Sequence, residues 1–332
     1  MESALCGDDL AVLFASYRRI FQSMLTVLFA TRNGAKTLPT VLNAYTQLEW
    51  PDSGWKLVII DNGSTDNTKE VIQNFRGLLP LTYEYEGVLG KNAALNTGLK
   101  FVEGDLVVLT DDDVYPRPDW LVTLRTSADA QQRYSIFGGV ILPRWEVPPP
   151  HWIAWTRQSA MFAITNPAFR EGPVTDGIFG PNMAIRTAVF EDGIRFDVLI
   201  GPRGPAYAMG SETELIQRLL RQGHNAWHIQ GAVVEHFIRD YQLKKPWVLS
   251  RAIRLGRGEY RLSQSDGFPA GVRYWVGVPR FLFRALVERG MLLVLALFSL
   301  NEKRRFCAHW EFNYQLGKIL EARILNRERQ ST

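Results

Sequence analysis

LVVLTDDDVYPRPDW, residues 106–120, is the stretch around which this sequence is organised. Leu106–Leu109 is a short apolar run, which is typical of a strand buried on both faces of a parallel sheet. Three carboxylates follow at once, Asp111, Asp112 and Asp113. Carboxylates this close repel one another, and a divalent cation such as Mg²⁺ or Mn²⁺ relieves that repulsion. Because open α/β sheets bind ligands at the carboxyl ends of their strands, the stretch predicts a metal–diphosphate site.

An acidic turn is the alternative interpretation of the same residues. Asp favours turns and helix N-caps, and Pro116 and Pro118 are predicted to end regular structure here. The rest of the chain has to decide between the two.

Strand and helix patterns alternate on both sides of this stretch, separated by short polar turns. The predicted strands are 25–30, 57–60, 81–86, 106–109 and 136–142, and the predicted helices are 38–48, 68–75, 91–101 and 120–130. This alternation predicts an α/β fold with a mostly parallel sheet and helices on both faces. Further strands at 178–186 and 226–236, with a helix at 211–221 between them, predict a smaller mixed sheet downstream.

Composition bounds the class of protein. The chain has 332 residues, 46% of them hydrophobic and 22% charged, which is typical of a globular protein with a sizeable core. Cys6 and Cys307 form neither a disulfide framework nor a metal pattern, which favours a reducing, cytoplasmic setting. Residues 1–23 are interpreted as a leader without the basic start of a secretory signal.

The charge is unevenly distributed. Residues 1–238 carry a net charge of −6, whereas residues 239–332 carry +10. A basic tail favours an anionic partner, and it lacks the aromatic-interleaved stripe of a nucleic-acid binder, so no nucleic acid is expected. Gly290–Leu300 is very apolar but too short to span a bilayer. Two interpretations stay open for it: an interfacial helix against an anionic membrane, with Lys303-Arg304-Arg305 as its basic flank, and a buried core helix.

Two familiar nucleotide-binding motifs are absent. The first predicted strand ends in Thr31-Arg32-Asn33-Gly34, which is not the G-x-G-x-x-G of dinucleotide sites. Gly90-Lys91 lacks both the first glycine and the Ser/Thr of a Walker A loop. The sequence therefore supports neither hydride transfer nor P-loop phosphoryl transfer.

Six separated segments together resemble the family 2 glycosyltransferases, whose fold is GT-A. The segments are VLFATRNGAKTL (27–38), VIIDNGSTDNT (58–68), GKNAALNTGL (90–99), LTDDDVYPRPDWL (109–121), FGPNMAIR (179–186) and GSETELIQRL (210–219). The resemblance covers roughly residues 25–260, and the order and spacing of the set are more specific than any one segment. A sugar-phosphate nucleotidyltransferase is disfavoured. Such enzymes look like they need a Gly-rich, Arg-containing loop after the first strand, and ATRNGAKT lacks that loop.

The resemblance implies that the first segments bind a nucleotide-diphosphate sugar. By position, Thr31 and Asn33 lie at the end of the first strand by the base. Asp61 meets the base or ribose, as suits an acceptor of N–H or O–H hydrogen bonds, and Lys91 lies near the base or diphosphate. Without the resemblance, Asp61 would be interpreted as a turn residue and Lys91 as a solvated helix start.

The resemblance also implies a D-x-D metal motif, whose register is ambiguous here. Asp111-Asp112-Asp113 is itself D-x-D, but the downstream segment also aligns with Thr110 in the first acid's place. Asp112 or Asp113 is then the metal ligand, and Asp111 and Asp112 contact the donor. His236 matches a position where relatives have a His that contacts the metal or diphosphate. The implied cofactor is Mn²⁺ or Mg²⁺.

The last two segments imply the acceptor side. The family usually has Glu-Asp at the start of the 211–221 helix, with the second acid as catalytic base. Here Ser211-Glu212 takes those places, so the base role passes to Glu212, with Glu214 as the alternative. Asn182 is expected near the sugar and Trp152 is expected to stack on it, unless the first satisfies backbone groups and the second fills the core.

The expected organisation has four parts: 1–23 leader, 24–142 nucleotide-sugar half, 143–240 acceptor and catalytic-base half, and 241–332 basic helical tail. The resemblance implies metal-dependent, inverting transfer of a sugar, with UDP as the favoured nucleotide, to a glycan or lipid-linked acceptor. Cell-surface polysaccharide or glycolipid synthesis at the inner face of a membrane is the expected setting. A non-catalytic nucleotide- or glycan-binding protein that kept the fold is the alternative.

Overall fold

The computed structural model describes residues 23–204, 206–264 and 271–331. The predicted leader lies outside them except for its last residue, and so does Cys6. The described residues form two compact units, here called the sheet unit and the helical unit. The sheet unit comprises 23–142, 165–196 and 215–236, and the helical unit comprises 143–164, 197–204, 206–214, 237–264 and 271–331. The predicted division into donor and acceptor halves concerns function and stays a prediction.

Four parallel strands form one side of the main sheet, in the order β3-β2-β1-β4. They are β1 Leu25–Thr31, β2 Trp55–Asp61, β3 Leu81–Tyr85 and β4 Leu106–Leu109. Four helices connect or follow them: α1 Leu38–Tyr45, α2 Thr68–Gln73, α3 Lys91–Gly98 and α4 Trp120–Ala130. All four residues of β4 are buried, as expected for a strand covered on both faces. The predicted parallel sheet is therefore confirmed.

The sheet continues through antiparallel strands, and its described part has nine strands, with the order β4-β8-β6-β9-β5 beyond the parallel side and β7 paired to β9. These strands are β5 Val114–Pro116, β6 Ile136–Trp145, β7 Gly172–Val174, β8 Met183–Arg186 and β9 Ala226–Ile238. Pro116 is the last residue of β5, so this strand ends where the sequence predicts that regular structure stops, and β5 lies at the end of the strand order. An edge strand tolerates proline because one side of it needs no backbone donor.

Side chains alternate between two cores on opposite faces of the parallel strands, as the two-residue strand period requires. On β1, Val27 and Phe29 join one cluster and Leu28 joins the other. The first cluster includes the buried faces of α1 and α4. The second includes α3 and the later turns of α7, Ser211–Arg221. Helices therefore cover both faces, as predicted.

The helical unit is built mainly from α5 Gln158–Phe162, α8 Lys245–Ser263, α9 Arg280–Leu297 and α10 Glu302–Ser331; α6, Ala188–Glu191, belongs to the sheet unit. Two glycines let α8 and α10 approach backbone to backbone. A Cβ at Gly256 would lie 2.0 Å from the Tyr314 carbonyl oxygen, and one at Gly317 would lie 2.1 Å from that of Ile253. The close contact therefore requires glycine at both positions.

Glu321 of α10 is a buried carboxylate that holds two arginines of α8. Its Oε2 accepts a hydrogen bond from Arg257 Nε at 2.7 Å, and its Oε1 accepts one from Arg261 Nε at 2.5 Å. Arg257 also donates to the Ala206 carbonyl at 2.8 Å. Both arginines are committed to packing α8 against its neighbours.

The apolar run Gly290–Leu300 lies at the end of α9 and in the turn that follows it. Its side chains are largely exposed, reaching 85% for Phe298 and 98% for Leu300. The interpretation of this run as a buried core helix is therefore wrong. Across the described ranges, no helix combines the length and the apolarity needed to cross a membrane.

Candidate functional site

The polar residues at the ends of β1, β2 and β4 meet at one edge of the sheet. Thr31 and Asp61 are register partners at the ends of β1 and β2, and Asp111, Asp112 and Asp113 follow the end of β4 directly. These strands are parallel neighbours, so their carboxyl ends lie at the same edge. This is where open α/β sheets bind ligands.

The three consecutive carboxylates contact three different side chains. Lys91 Nζ lies 2.5 Å from Asp111 Oδ1. The Thr31 hydroxyl donates to Asp112 Oδ2 at 2.6 Å. His236 Nε2 lies 3.5 Å from Asp113 Oδ1. Side chains from α3, β1 and β9 therefore support the three acids, which is more than a simple surface turn needs.

Asp61 is only 3% exposed although it is an acid. Its Oδ1 accepts the Ser64 backbone N–H at 2.9 Å, and its Oδ2 accepts the Tyr83 hydroxyl at 3.0 Å. Burial and this hydrogen bond to the carboxylate raise the pKa of Tyr83 to about 12. A carboxylate has about four lone-pair sites, so Asp61 keeps capacity for a ligand N–H or O–H.

Two loops at this edge are tied together by short polar side chains. Asn33 adopts a left-handed backbone with φ +56°, which asparagine tolerates better than most residues. Its Oδ1 accepts the Thr65 N–H at 2.8 Å, and its own N–H donates to Ser64 Oγ at 2.9 Å. Asp66 accepts from Thr68, and that hydroxyl lowers the pKa of the carboxyl. Asn33 thus joins its loop to the loop of Ser64 and Thr65, in addition to its expected place beside the base.

Sequence reasoning missed Asn62, which positions the loop before α3. Its amide donates to the carbonyls of Glu86 at 3.0 Å and Val88 at 2.8 Å, and its Oδ1 accepts the Gly90 N–H at 2.7 Å. Gly90 has φ +142°, where a side chain would be strained. Lys91 begins α3 at once, so Asn62 sets the place from which Lys91 reaches Asp111. The only signal available was an Asn next to an acid at a strand end.

Asp112, Asp113 and His236 are the metal ligands that the sequence predicts. Register pairs His236 on β9 with Val114 on β5, next to Asp113. Within the described residues, no three His, Cys, Asp or Glu side chains are grouped so that they could hold a metal. Mg²⁺ is usually held by one or two carboxylates plus substrate phosphates rather than by a complete protein cage. One or two of the side chains of Asp112, Asp113 and His236, completed by the phosphates of a substrate, fit a cation of that kind.

The first turn of α7 carries both candidates for the catalytic base. Ser211 is buried and its hydroxyl donates to Glu212 Oε2 at 2.9 Å. Glu214 begins the helical ladder, its N–H donating to the Gly210 carbonyl at 2.8 Å. Residues two apart on an α-helix point about 200° away from each other. Glu212 and Glu214 therefore cannot both face one site.

Two residues expected on the acceptor side have structural tasks. Asn182 is 0% exposed, donates to the carbonyls of Val140 and Ala232 at 3.0 and 2.9 Å, and accepts the Trp120 indole N–H at 2.9 Å. Trp152 is only 7% exposed and packs on Phe306 with ring centroids 5.2 Å apart. Both side chains thus follow the structural alternative given for them, and their contact with an acceptor stays a prediction.

Sequence comparisons agree with this geometry. The model of the family described as glycosyl transferase family 2 matches residues 26–194. The glycosyltransferase AglE of Haloferax volcanii is 23% identical over 288 residues, covering 82% of this chain and 88% of that protein. A glucosyl-dolichyl phosphate glucuronosyltransferase of the same organism is 22% identical over 211 residues, covering 60% of this chain and 65% of that protein.

Two solved structures share the fold. The mannosyltransferase PcManGT from Pyrobaculum calidifontis, in complex with GDP-Man and Mn²⁺, has a TM-score of 0.56 at 18% identity and covers 97% of this chain and 96% of its own. S. aureus TarS 1–349 with UDP-GlcNAc has a TM-score of 0.51 at 16% identity, with 93% and 92% covered. The fold is GT-A, and the non-catalytic alternative is not favoured. The chain belongs to glycosyl transferase family 2 and is a glycosyltransferase.

Proposed function

We propose that this protein transfers a sugar, with inversion at the anomeric carbon, from a nucleotide-diphosphate sugar to an acceptor hydroxyl, in a metal-dependent reaction. The observation that carries the proposal is the meeting of Thr31, Asp61 and the Asp111–Asp113 triplet at the carboxyl edge of the parallel strands. UDP is the first candidate for the nucleotide and GDP the second, since related folds hold each of them.

The donor is bound by the sheet unit in this proposal. Asp61 accepts a hydrogen bond from the base or ribose, and the buried Tyr83 hydroxyl keeps its carboxylate oriented. Lys91, whose Nζ lies 2.5 Å from Asp111 Oδ1, is the cation of this edge that is proposed to contact the diphosphate. Thr31 and Asn33 shape the loop beside the base.

Asp112 or Asp113, with His236 beside them and the donor diphosphate as a further ligand, would hold Mn²⁺ or Mg²⁺. Thr31 orients Asp112 by a 2.6 Å hydrogen bond, and His236 stands 3.5 Å from Asp113. A bound divalent cation supplies Lewis-acid neutralisation of the charge on a leaving diphosphate. The Mn²⁺ in the complex of PcManGT supports a divalent cation for this fold.

Glu212 is the proposed general base. It removes the proton of the acceptor hydroxyl as that oxygen bonds to the anomeric carbon and the bond to the diphosphate breaks. Attack opposite to the leaving group gives inversion. Ser211 donates to Glu212 Oε2 at 2.9 Å and so orients the carboxylate.

The acceptor is proposed to be a glycan or a lipid-linked sugar of cell-surface polysaccharide or glycolipid synthesis. Support comes from the names of two relatives, which refer to a glucosyl-dolichyl phosphate and to poly(ribitol-phosphate). The setting proposed is the cytoplasmic face of a membrane.

Nucleotide binding tests the donor half of this function. UDP, GDP and dTDP are each added to the protein with and without Mn²⁺, and the unfolding temperature is measured. A ligand at about 100 times its Kd stabilises the folded state by about 2.7 kcal/mol, so one nucleotide is expected to raise the unfolding temperature only when Mn²⁺ is present. The nucleoside uridine serves as the control without phosphates. No shift with any nucleotide and metal would contradict the proposed function.

The exposed apolar run at the end of α9 is proposed to rest on an anionic membrane. The run, here called the C-terminal apolar surface, comprises the exposed side chains of Met291, Leu292, Val294, Leu295, Leu297, Phe298 and Leu300. Arg289, Lys303 and Arg304 are exposed beside it. Large exposed apolar patches mark interaction sites, and a rim of cations is complementary to acidic lipid headgroups.

Vesicle cosedimentation tests this surface. Changing Arg289, Lys303 and Arg304 together to Gln is expected to weaken binding to phosphatidylglycerol-containing vesicles about a hundredfold, because each cation near the surface contributes about 1 kcal/mol. A matched variant changes three exposed cations of the sheet unit, Lys100 and two arginines (Arg76, Arg133), to Gln. Equal loss in both variants, or concentration-dependent dimers that need Phe298 and Leu300, would overturn the membrane assignment.

A further inference from the structure

Arg251 and Arg254 of α8 are a pair of cations that pack on aromatic side chains rather than on carboxylates. They are three residues apart, so they lie on one face of the helix. Arg257, one turn further, is held by Glu321 and the Ala206 carbonyl. In the described parts of the helical unit, no comparable ion pair joins Arg251 or Arg254 to a carboxylate. Of the three arginines, Arg257 is therefore neutralised by a carboxylate, whereas Arg251 and Arg254 are not, as far as the described residues extend.

Both guanidinium groups lie over aromatic rings. Arg251 Cζ lies 4.9 Å from the centroid of the Trp247 ring, and Arg254 Cζ lies 5.0 Å from that of the Tyr207 ring. Stacking uses the face of a guanidinium and leaves the N–H groups along its edge to donate. The aromatic contacts restrain both guanidinium groups, whose planar forks match the geometry of phosphate oxygens.

Arg251 also has an unsatisfied donor. Its Nε is buried without a hydrogen-bond partner among the described residues. Burial is the main cause that lowers its pKa, the neighbouring Arg254 acts in the same direction, and Tyr207 and Glu212 oppose them. A buried charged donor without an acceptor is costly, and one carboxylate against two guanidinium groups leaves the cluster with an excess positive charge.

The same cluster adjoins the proposed base. The Met209 N–H donates to the Arg254 carbonyl at 3.1 Å, which ties the segment before α7 to α8. A Cβ at Gly258 would lie 1.8 Å from the Met209 carbonyl oxygen, so the two backbones touch there. Glu212, three residues beyond Met209, is close enough to act electrostatically on Arg251.

We propose that Arg251 and Arg254 bind a phosphate group beside Glu212. The site itself stands on the geometry of the helical unit, and only its role in transfer rests on the proposed function. The phosphate has two possible sources with the same chemistry: the diphosphate of the donor and a phosphate carried by the acceptor. Either one removes the excess positive charge and gives the edge donors of both arginines an acceptor.

Calorimetric titration with inorganic pyrophosphate, in buffer containing a metal chelator, tests the site. Arg251→Gln and Arg254→Gln are each expected to raise the Kd about tenfold or more, since each removes charge-assisted hydrogen bonds. Lys244→Gln is the matched control, because Lys244 is an exposed cation directly before α8 that is paired with Asp240 at 2.8 Å. Unchanged binding in both Arg variants, or an equal loss in the Lys variant, would overturn the proposal.

Folding is checked by circular dichroism and thermal unfolding of each variant. If the Gln variants unfold, Arg251→Lys and Arg254→Lys replace them, because Lys keeps the charge but lacks the planar fork. Weaker pyrophosphate binding by the folded Lys variants supports the site, and unchanged binding by them refutes it.

Two pairs of probes then identify the source of the phosphate. UDP is compared with uridine, and octyl phosphate with octanol. A loss in the Arg variants for UDP assigns the donor diphosphate, and a loss for octyl phosphate alone assigns an acceptor phosphate. The Mn²⁺-dependent rise in unfolding temperature with nucleotide depends on residues of the sheet unit. If the unaltered protein lacks that rise, the proposed function is rejected, whereas the pyrophosphate titration still tests the arginine site independently.

Discussion

Glu212→Gln is expected to lower the turnover of sugar transfer by 10²- to 10⁴-fold, the usual contribution of a general base. Gln keeps the size of the side chain and can still accept the hydrogen bond that Ser211 donates at 2.9 Å, but it cannot take the acceptor proton. Nucleotide binding with Mn²⁺ is expected to stay within twofold, because Asp61 and Lys91 are unchanged. The measurement is incorporation of radiolabelled sugar from saturating donor into acceptors of crude membranes.

Glu214→Gln is the matched control for the base. It removes the same charge from the same helical turn, but Glu214 points about 200° away from Glu212, and transfer is expected to stay within about threefold. The opposite pattern, with normal transfer in Glu212→Gln and loss in Glu214→Gln, would move the base role to Glu214 and shift the register of the family resemblance.

The double change Asp112→Asn and Asp113→Asn is expected to abolish the Mn²⁺-dependent stabilisation by nucleotide. It preserves the size of both side chains and the Thr31 hydroxyl can still donate to position 112, but it removes two negative charges from the proposed cation site. Loss of a Lewis acid worth several kcal/mol also predicts a drop in transfer of a hundredfold or more. Unfolding temperature with UDP or GDP, with and without Mn²⁺, measures the binding effect.

Asp52→Asn with Asp192→Asn is the control for charge alone, since both acids are exposed and lie away from the triplet in sequence. This variant is expected to keep the full Mn²⁺-dependent shift. A shift that survives in Asp112→Asn with Asp113→Asn would place the cation elsewhere and leave the triplet as an acidic turn.

The parallel half of the fold was predictable because its signals are local. Each of β1, β2 and β4 is an apolar run that ends at a polar turn, so the strands were placed within a few residues. The position of the Asp111–Asp113 triplet at the carboxyl edge follows from that placement. The resemblance then added what periodicity does not contain, namely the donor class and the candidate base Glu212.

Residues whose role the sequence leaves open depend on distant partners. The side chain of Asn182 accepts one hydrogen bond from Trp120 and donates to Val140 and Ala232, which are 62, 42 and 50 residues away. Arg257 differs from Arg251 only because Glu321, 64 residues on, is buried beside it. Local pattern assigns a residue type to a helix or a turn, but it does not show which polar group completes its hydrogen bonds.

Gly256 and Gly317 set the spacing of α8 and α10, because any larger residue at either position would clash with the backbone of the opposite helix. In each case the atom that a Cβ would strike is a main-chain carbonyl oxygen of the opposite helix. A rearranged rotamer or a smaller side chain nearby creates no room there, so a second substitution cannot rescue the first. The two glycines therefore fix the distance between α8 and α10. Substitutions in this unit are tolerated only at the side chains around that contact, so the helix that carries Arg251 and Arg254 keeps its position.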